Sequence, residues 1–390
     1  MRPEFQDIVD EVSRLLERPA TLEDRDFNLV AFCSHEAEVD EVRLRSILQR
    51  HSTVDVKDWF EGFGITTSEV PVRTPASADL GVLSRLCLPA RWRGVTYGYI
   101  WLLDEGAGID QARVPTAAAL AEQAGALMAQ QARTREQVEF KLLDLLSTDT
   151  ETVDRAADDI HELGIIERQV PVAVVELRHA AAGLEQPAPM NLWRLPRSVM
   201  AATWPERTTL LVPVGTAGPR FAHDVAQQAR DLYAERLAPA ARELLVAGIG
   251  DVRPDLAQAR SSWQEARLAA RVGESVPQLR PVAVWPDLGV YRLLACGPER
   301  ALASAVLDRS VRRLIDHGDP DLLATATAYL AAGGNVQQAA AALNVHRQTV
   351  YYRVQRIEQV TGLDLSSGTD RLVLHLGLTL APALTTDGHL

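Results

Sequence analysis

The chain has 390 residues, 47% of them apolar and 24% charged, an ordinary globular composition in a chain too long for one hydrophobic core. A formal charge of −12 excludes phosphate binding by the surface at large, so any contact with a polyanion must be local. No apolar stretch approaches the roughly 18 residues of a membrane span, and Met1 to Arg18 lacks the apolar core of a secretory signal. The three cysteines, Cys33, Cys87 and Cys296, are too far apart for zinc spacing, so a cytoplasmic protein with reduced thiols and no metal or cofactor is expected.

In chain order, the pattern predicts an amphipathic helix over Phe5–Leu16, then a turn and strand within Thr21–Cys33 centred on the run from Phe27 to Cys33. Helices follow around Val42–Gln49 and Val56–Phe63. The apolar runs Arg85–Ala90 and Thr96–Leu103 flank Arg91-Trp-Arg-Gly and read as a hairpin. From Val114 to Leu146 the sequence is rich in Ala, Leu and Gln and interrupted only by Pro115 and Gly125, which predicts one long connecting helix.

A second α/β block opens with the buried-strand run Val170–Leu177. Val199–Trp204 and Thr208–Val214 flank Pro205-Glu-Arg as another hairpin, followed by a helix over Ala222–Leu237, a strand over Leu244–Gly250, a helix over Asp255–Val272 and a last strand at Val282–Trp285. From Leu293 onward no strand is predicted, and the block reads as all-helical.

Within it, Gly333 and Gly334 end one helix and Asn335 is placed to cap the next. Val336, Ala339, Ala340 and Leu343 form a short apolar stripe, Asn344-Val-His is a tight connection, and Val350, Val354 and Ile357 form the stripe of a second helix. Two short helices so joined match a helix-turn-helix whose second helix enters the major groove. On that helix Gln348, Tyr352 and Gln355 point away from the core, Thr349, Tyr351 and Arg356 lie on the flanks, and no carboxylate occurs before Glu358. Arg347, in the first turn, suits the O6 and N7 edge of guanine. Thr349 and Arg353 suit phosphate. The competing reading is a solvated helix in an ordinary bundle.

The stretch from Asn335 to Glu358, with Thr361-Gly-Leu-Asp-Leu and Asp370-Arg-Leu-Val-Leu-His-Leu-Gly-Leu behind it, resembles the C-terminal domain of PucR/CdaR-type transcription regulators. The resemblance implies promoter binding, with Fis-type contacts falling on His346, Arg347, Thr349, Tyr351 and Tyr352, and with Gln348 where the family often has Asn. Val170–Trp285 resembles the degenerate GGDEF-like domain of the same regulators, carried by Val246-Ala-Gly-Ile-Gly and the run Ser262–Ala269. This raises a diguanylate-cyclase-type enzyme with a regulatory tail as a rival. That chemistry needs a Gly-Gly turn beside metal-holding carboxylates. The hairpin here reads Thr203-Trp-Pro-Glu-Arg-Thr-Thr, with Glu206 its only acid, and Glu176 is one strand-end carboxylate.

The N-terminal order of elements resembles a GAF- or PAS-like sensor, which implies a small-molecule pocket. Phe32, Trp59, Phe63, Tyr99 and Trp101 are the candidate lining, although aromatics of this kind also serve as plain core. The expected architecture is therefore multidomain, α/β plus all-α: a GAF/PAS-like sensor over 1–113, a connecting helix over 114–150, a catalytically silent GGDEF-like domain over 151–290, and a helix-turn-helix domain over 291–390. Promoter DNA and an unidentified effector are the expected partners. A homodimer is expected as well, through the 114–146 helix and the apolar segment Leu372–Leu384. A scaffold without DNA affinity is the second rival.

Overall fold

A computed structural model describes residues 3–33, 53–104, 108–178, 195–196, 198–204, 206–234, 237 and 239–384. The helix expected over Val42–Gln49 lies outside the described residues. The chain divides into two compact units, one built mainly from residues before 166 and the other mainly from residues after it.

The first unit is an antiparallel sheet with its long helices on one face. After α1 (Pro3–Leu16) come β1 (Ala20–Asp24), β2 (Leu29–Phe32), α2 (Val54–Glu61), β3 (Val72–Thr74), β4 (Arg85–Trp92), β5 (Val95–Leu103) and α3 (Val114–Leu145), with strand order β2-β1-β5-β4-β3. The strand expected in the run from Phe27 to Cys33 is β2, and a second strand that the pattern did not predict, β1, precedes the turn. The Asp24 carboxylate accepts the N–H groups of Asp26 and Asn28 at 2.9 Å, and Phe27 takes φ 60°. This side-chain turn closes a β1–β2 hairpin. The β4–β5 hairpin forms as expected, because Arg93 and Gly94 both adopt positive φ (49° and 83°), the twist that matches flanking strands.

Phe5, Val9 and Val12 of α1 join Ala117, Ala121, Ala124 and Met128 of α3 over Ala20, Leu22, Leu88, Ile100 and Leu102. The small residues of α3 let it approach the sheet closely. A Cβ at Gly125 would fall 2.5 Å from the Arg91 backbone. The small and apolar face of α3 between residues 117 and 128 is thus spent on its own sheet, leaving Phe140 (66% exposed) and Leu143 as its uncovered apolar groups. Beyond α3, a helix the pattern did not predict, α4 (Thr150–Glu162), buries Val153, Ala156, Ala157 and Ile160, and its Asp159 pairs with Lys141 of α3.

Most of β7 (Met200–Thr203) falls in the first unit, and the second unit holds β6 (Val172–Arg178), β8 (Arg207–Pro213), β9 (Val246–Ile249) and β10 (Val282–Val284), paired in the order β10-β9-β6-β8. Reciprocal backbone bonds between Trp204 and Arg207 close the predicted hairpin. Two helices follow, α5 (Pro219–Ala234) before β9 and α6 (Ala259–Ser275) after it. The glycines of β9 and its end have a packing reason: a Cβ on Gly250 would lie 1.9 Å from the Ser262 carbonyl oxygen, and one on Gly248 would lie 2.1 Å from that of Ala266. Ser262 Oγ in turn accepts the Val174 N–H at 2.9 Å, tying α6 to β6.

A 3₁₀ stretch, Trp285–Ala295, leads into α7 (Glu299–Val306), α8 (Arg309–His317), α9 (Pro320–Ala331), α10 (Val336–Leu343), α11 (Arg347–Thr361) and α12 (Gly368–Leu384). These helices do not form a separate core. Ala269 and Val272 of α6, and Val276 just beyond its end, belong to the same apolar cluster as Leu307, Val311, Ile357 and Leu380. Arg271 of α6 pairs with Glu299 at 2.8 Å and donates to the Ala383 carbonyl at 3.3 Å. The segment expected as an interface is mostly consumed here. Leu374, Leu380, Ala383 and Leu384 are buried in the unit's own core, and Leu372 is left exposed.

Candidate nucleic-acid interface

The helix pair forms from the caps that the sequence prescribes. Gly333 and Gly334 take φ 62° and 89° after α9, and Asn335 Oδ1 accepts the N–H groups of Gln337 (2.9 Å) and Gln338 (3.1 Å) at the start of α10. Asn344 ends α10 in the left-handed conformation, φ 54°. His346 then caps α11, its Nδ1 accepting the Gln348 N–H at 3.3 Å, which requires the neutral imidazole. Inside the pair, Ala339, Ala340, Val350 and Ile357 are buried, while Val336, Leu343 and Val354 are half-buried.

Facing outward, His346, Arg347, Gln348, Tyr351, Tyr352, Gln355 and Arg356 are exposed, and Thr349 is half-buried. Tyr352 is 71% exposed, far more than a tyrosine placed for packing. Arg356 donates to Gln359 at 3.2 Å. The one acid of the helix is turned away, since Glu358 accepts the Leu365 N–H at 2.9 Å beyond the helix end.

Arg353 differs from its expected role. Its guanidinium pairs with Asp321 of α9 and donates to Thr325 Oγ1 at 3.4 Å, so the group expected to meet phosphate is engaged inside the domain. It braces α11 against α9.

Four of the five expected pocket aromatics belong to one cluster on the sheet face opposite α1 and α3. Trp59 stacks edge-on with Phe63 (4.9 Å) and with Phe60 (4.9 Å), Phe60 meets Trp101 at 4.4 Å, and Tyr99 meets Trp101 at 5.8 Å. Phe32 stands apart on the edge strand β2, half-buried. Phe60 and Phe27, which join the others together, were missed, although Phe60 is adjacent to Trp59 in a predicted helix. Among these packed rings the Trp101 indole N–H and the Thr74 hydroxyl are buried without hydrogen-bond partners, and Arg85 lies over the Phe60 ring at 5.3 Å. Burial pushes the Cys87 thiol well up, reinforced by nearby Glu23, so this cysteine resists forming the reactive thiolate.

In the middle sheet, Glu176 is neither at a strand end nor solvated. It is fully buried within β6, accepts the Thr209 hydroxyl at 2.5 Å, and lies 3.6 Å from Arg207 Nε. Burial raises its pKa against the pull of that hydrogen bond and of Arg207, Arg267 and Arg178. Glu206, at the hairpin, is exposed. Among the described residues no group of three metal-ligating side chains occurs, and no helix is long and apolar enough to cross a membrane.

This geometry defines a helix-turn-helix regulator that binds DNA, and the comparisons with known proteins agree. Residues 322–380 match the PucR C-terminal helix-turn-helix domain, and residues 148–272 match a GGDEF-like domain. The chain is 21% identical to the DNA-binding transcriptional activator AdeR of Bacillus subtilis, over 96% of this chain and 92% of that protein. It is 22% identical to the proline-responsive transcriptional activator PutR of the same organism, over 96% and 95%. The transcriptional activator PmfR of Paenarthrobacter nicotinovorans is 29% identical over 36% of this chain and 29% of its own length. The chain is a DNA-binding transcription regulator that carries a PucR-type C-terminal helix-turn-helix domain.

Proposed function

We propose that the protein reads promoter DNA with the outer face of α11, as a homodimer, under control of a small molecule bound by its N-terminal domain. One observation carries the reading. A helix held by correct caps at both ends presents His346, Arg347, Gln348, Tyr351, Tyr352 and Arg356 to solvent, with its only carboxylate turned away. Arg347, at the first helical position and without an ion pair among the described residues, is the base-reading fork, and Thr349 is left for phosphate. Replacing Arg347 by alanine removes no internal contact, so the domain stays folded while specific binding drops by about 1–3 kcal/mol, roughly 5- to 150-fold. Anisotropy titration of the full chain on a fragment of its bound promoter, beside a scrambled fragment, tests this. Equal loss on both fragments, or no loss, removes Arg347 from base reading.

The sensor reading is supported by an antiparallel sheet covered by helices on one face and carrying an aromatic cluster with unpartnered buried donors on the other. The description of PutR as proline-responsive supports a small-molecule effector, and the names of AdeR, PutR and PmfR support activation of transcription. For the dimer, the exposed Phe140 and Leu143 make the C-terminal part of α3 the favoured contact. The middle domain is read as catalytically silent: Glu176, its one buried carboxylate among the described residues, accepts the Thr209 hydroxyl and is surrounded by arginines, and a cyclase needs carboxylates free for metal. Cyclic dinucleotide made from GTP and magnesium by the purified protein contradicts that part of the reading.

A further inference from the structure

We propose that the arginine-rich face of the middle sheet, around Arg207, Arg267 and Trp263, is a binding site for a phosphoryl group. The α6 side of β6 and β8 gathers like charges. Arg178, Arg207 and Arg267 lie close enough to Glu176 to act on it, and Arg267 in turn feels Arg207, Arg178 and Arg260. Arg178 is compensated by Glu274 at 2.8 Å. Arg207 faces Glu176 across 3.6 Å, too far for a hydrogen bond, and Arg267 makes no ion pair among the described residues. Three guanidinium groups against two carboxylates leave a positive surplus, held beside an exposed rim.

The donors are also unspent. Arg207 Nε and the Trp263 indole N–H are buried without hydrogen-bond partners. Buried polar groups are almost always paired in folded proteins, so two unpaired donors on one arginine-rich face mark where an acceptor belongs. The aromatic rings hold the cations in place: Arg207 lies over Trp204 at 4.7 Å, and Arg267 and Arg260 lie over Trp263 at 4.8 and 6.0 Å. Two guanidinium forks and an indole N–H offer more donors than the two oxygens of a carboxylate can use. They match the three oxygens and higher charge of a phosphoryl group. This charge pattern is the reverse of a metal-dependent nucleotidyl-transfer site, which collects carboxylates.

The shared chemistry is a phosphoryl group, and its source is either free phosphate or a phosphorylated metabolite such as a nucleotide. The full-length protein is titrated at constant ionic strength, with chelator present, against inorganic phosphate, a nucleoside triphosphate, and succinate as a dicarboxylate control. Thermal melts and calorimetry are the readouts. Phosphate or the nucleotide raises the melting temperature in a saturable way and succinate does not. Arg267→Ala, at an exposed position that keeps the fold, weakens binding at least tenfold. Trp263→Phe, which keeps the ring and removes the N–H, weakens it several-fold. Nucleotide binding much tighter than phosphate, with the same dependence on Arg267, identifies a nucleotide as the source, and equal affinities identify free phosphate or a simple monoester. Absence of saturable binding at millimolar ligand overturns the proposal. So does a succinate response equal to that of phosphate, or full binding by Arg267→Ala.

Discussion

Replacing Asp321 by asparagine tests whether the domain withholds Arg353 from DNA. The pair is unequal in exposure, 19% for the arginine side chain and 68% for the aspartate, so its stabilising value is that of a solvent-screened bridge, about 0.2–1 kcal/mol. Asp321 also sits in the first turn of α9, where a negative charge gains about 0.3–1 kcal/mol from the helix dipole. Asp321→Asn therefore costs the domain about 0.5–2 kcal/mol, which leaves it folded.

On DNA the effect has the opposite sign. Removing one negative charge and freeing one guanidinium adds about one phosphate contact, which steepens the slope of log affinity against log salt by about 0.9. Between roughly 50 and 200 mM salt that slope is worth about 3.5-fold. Anisotropy titrations of the full chain on a random-sequence duplex across this range are the assay. Asp321→Asn binds more tightly at low salt and converges on wild type at high salt. Arg353→Ala keeps the wild-type slope, because it removes a charge that is already neutralised. If Arg353→Ala flattens the slope by about one unit while Asp321→Asn changes nothing, Arg353 contacts phosphate directly and the brace is incidental.

Three further outcomes follow from packing and protonation. Gly250→Ala drives a methyl into the Ser262 carbonyl of α6, so limited proteolysis should cut the middle domain readily in this variant and spare the wild type. Glu176 binds its proton more tightly folded than unfolded, so the native state gains stability as pH falls through its raised pKa and loses it above. Glu176→Gln should therefore melt higher than wild type at neutral pH, with the difference shrinking on acidification, and an advantage that grows toward acid pH contradicts the raised pKa. A chain beginning at Thr150 strips α4, with its buried Val153, Ala157 and Ile160, of the α3 helix it packs against, whereas one beginning near Gln137 keeps the C-terminal part of that helix. The longer fragment should footprint the promoter without responding to effector, and loss of its footprint despite native circular dichroism means the N-terminal domain helps build the DNA-binding unit.

What could be read in advance depended on how local the determinants are. The helix pair at 336–361 is specified within about thirty residues by glycines, an Asn cap, a left-handed Asn and two short stripes, and each part takes its expected place. The hairpin at Arg93-Gly94 is equally local. By contrast, α4 carries Glu151, Asp154, Asp158, Asp159 and Glu162 around a narrow stripe, and its apolar face has meaning only once α3 supplies the opposing surface. The same is true of β3, three residues whose pairing partner Arg85–Cys87 lies more than ten positions away. Phe27 was misread for a different reason. Its apolar neighbours suggested a strand, but the Asp24 carboxylate offers the backbone a turn instead, a signal present in Asp-Arg-Asp-Phe-Asn and outweighed by hydrophobicity.

Helix α11 shows how far an acid-free face in sequence falls short of a free positive face in space. Arg353 stands three residues after Val350 and four before Ile357, so the same periodicity that marks the buried stripe also sets this arginine at the edge of the core, within reach of α9. Asp321, thirty-two positions earlier, then neutralises it. Of the three arginines between residues 347 and 356, only Arg347 and Arg356 remain unpaired with acid among the described residues. Two cations on a chain of net charge −12 provide little counterion release, and a single small module buries limited surface on DNA. Tight binding by such a reader requires two copies on adjacent half-sites. The shortage of charge on α11 is thus a stronger argument for the proposed dimer than the apolar C-terminal segment, whose leucines are already buried in their own core.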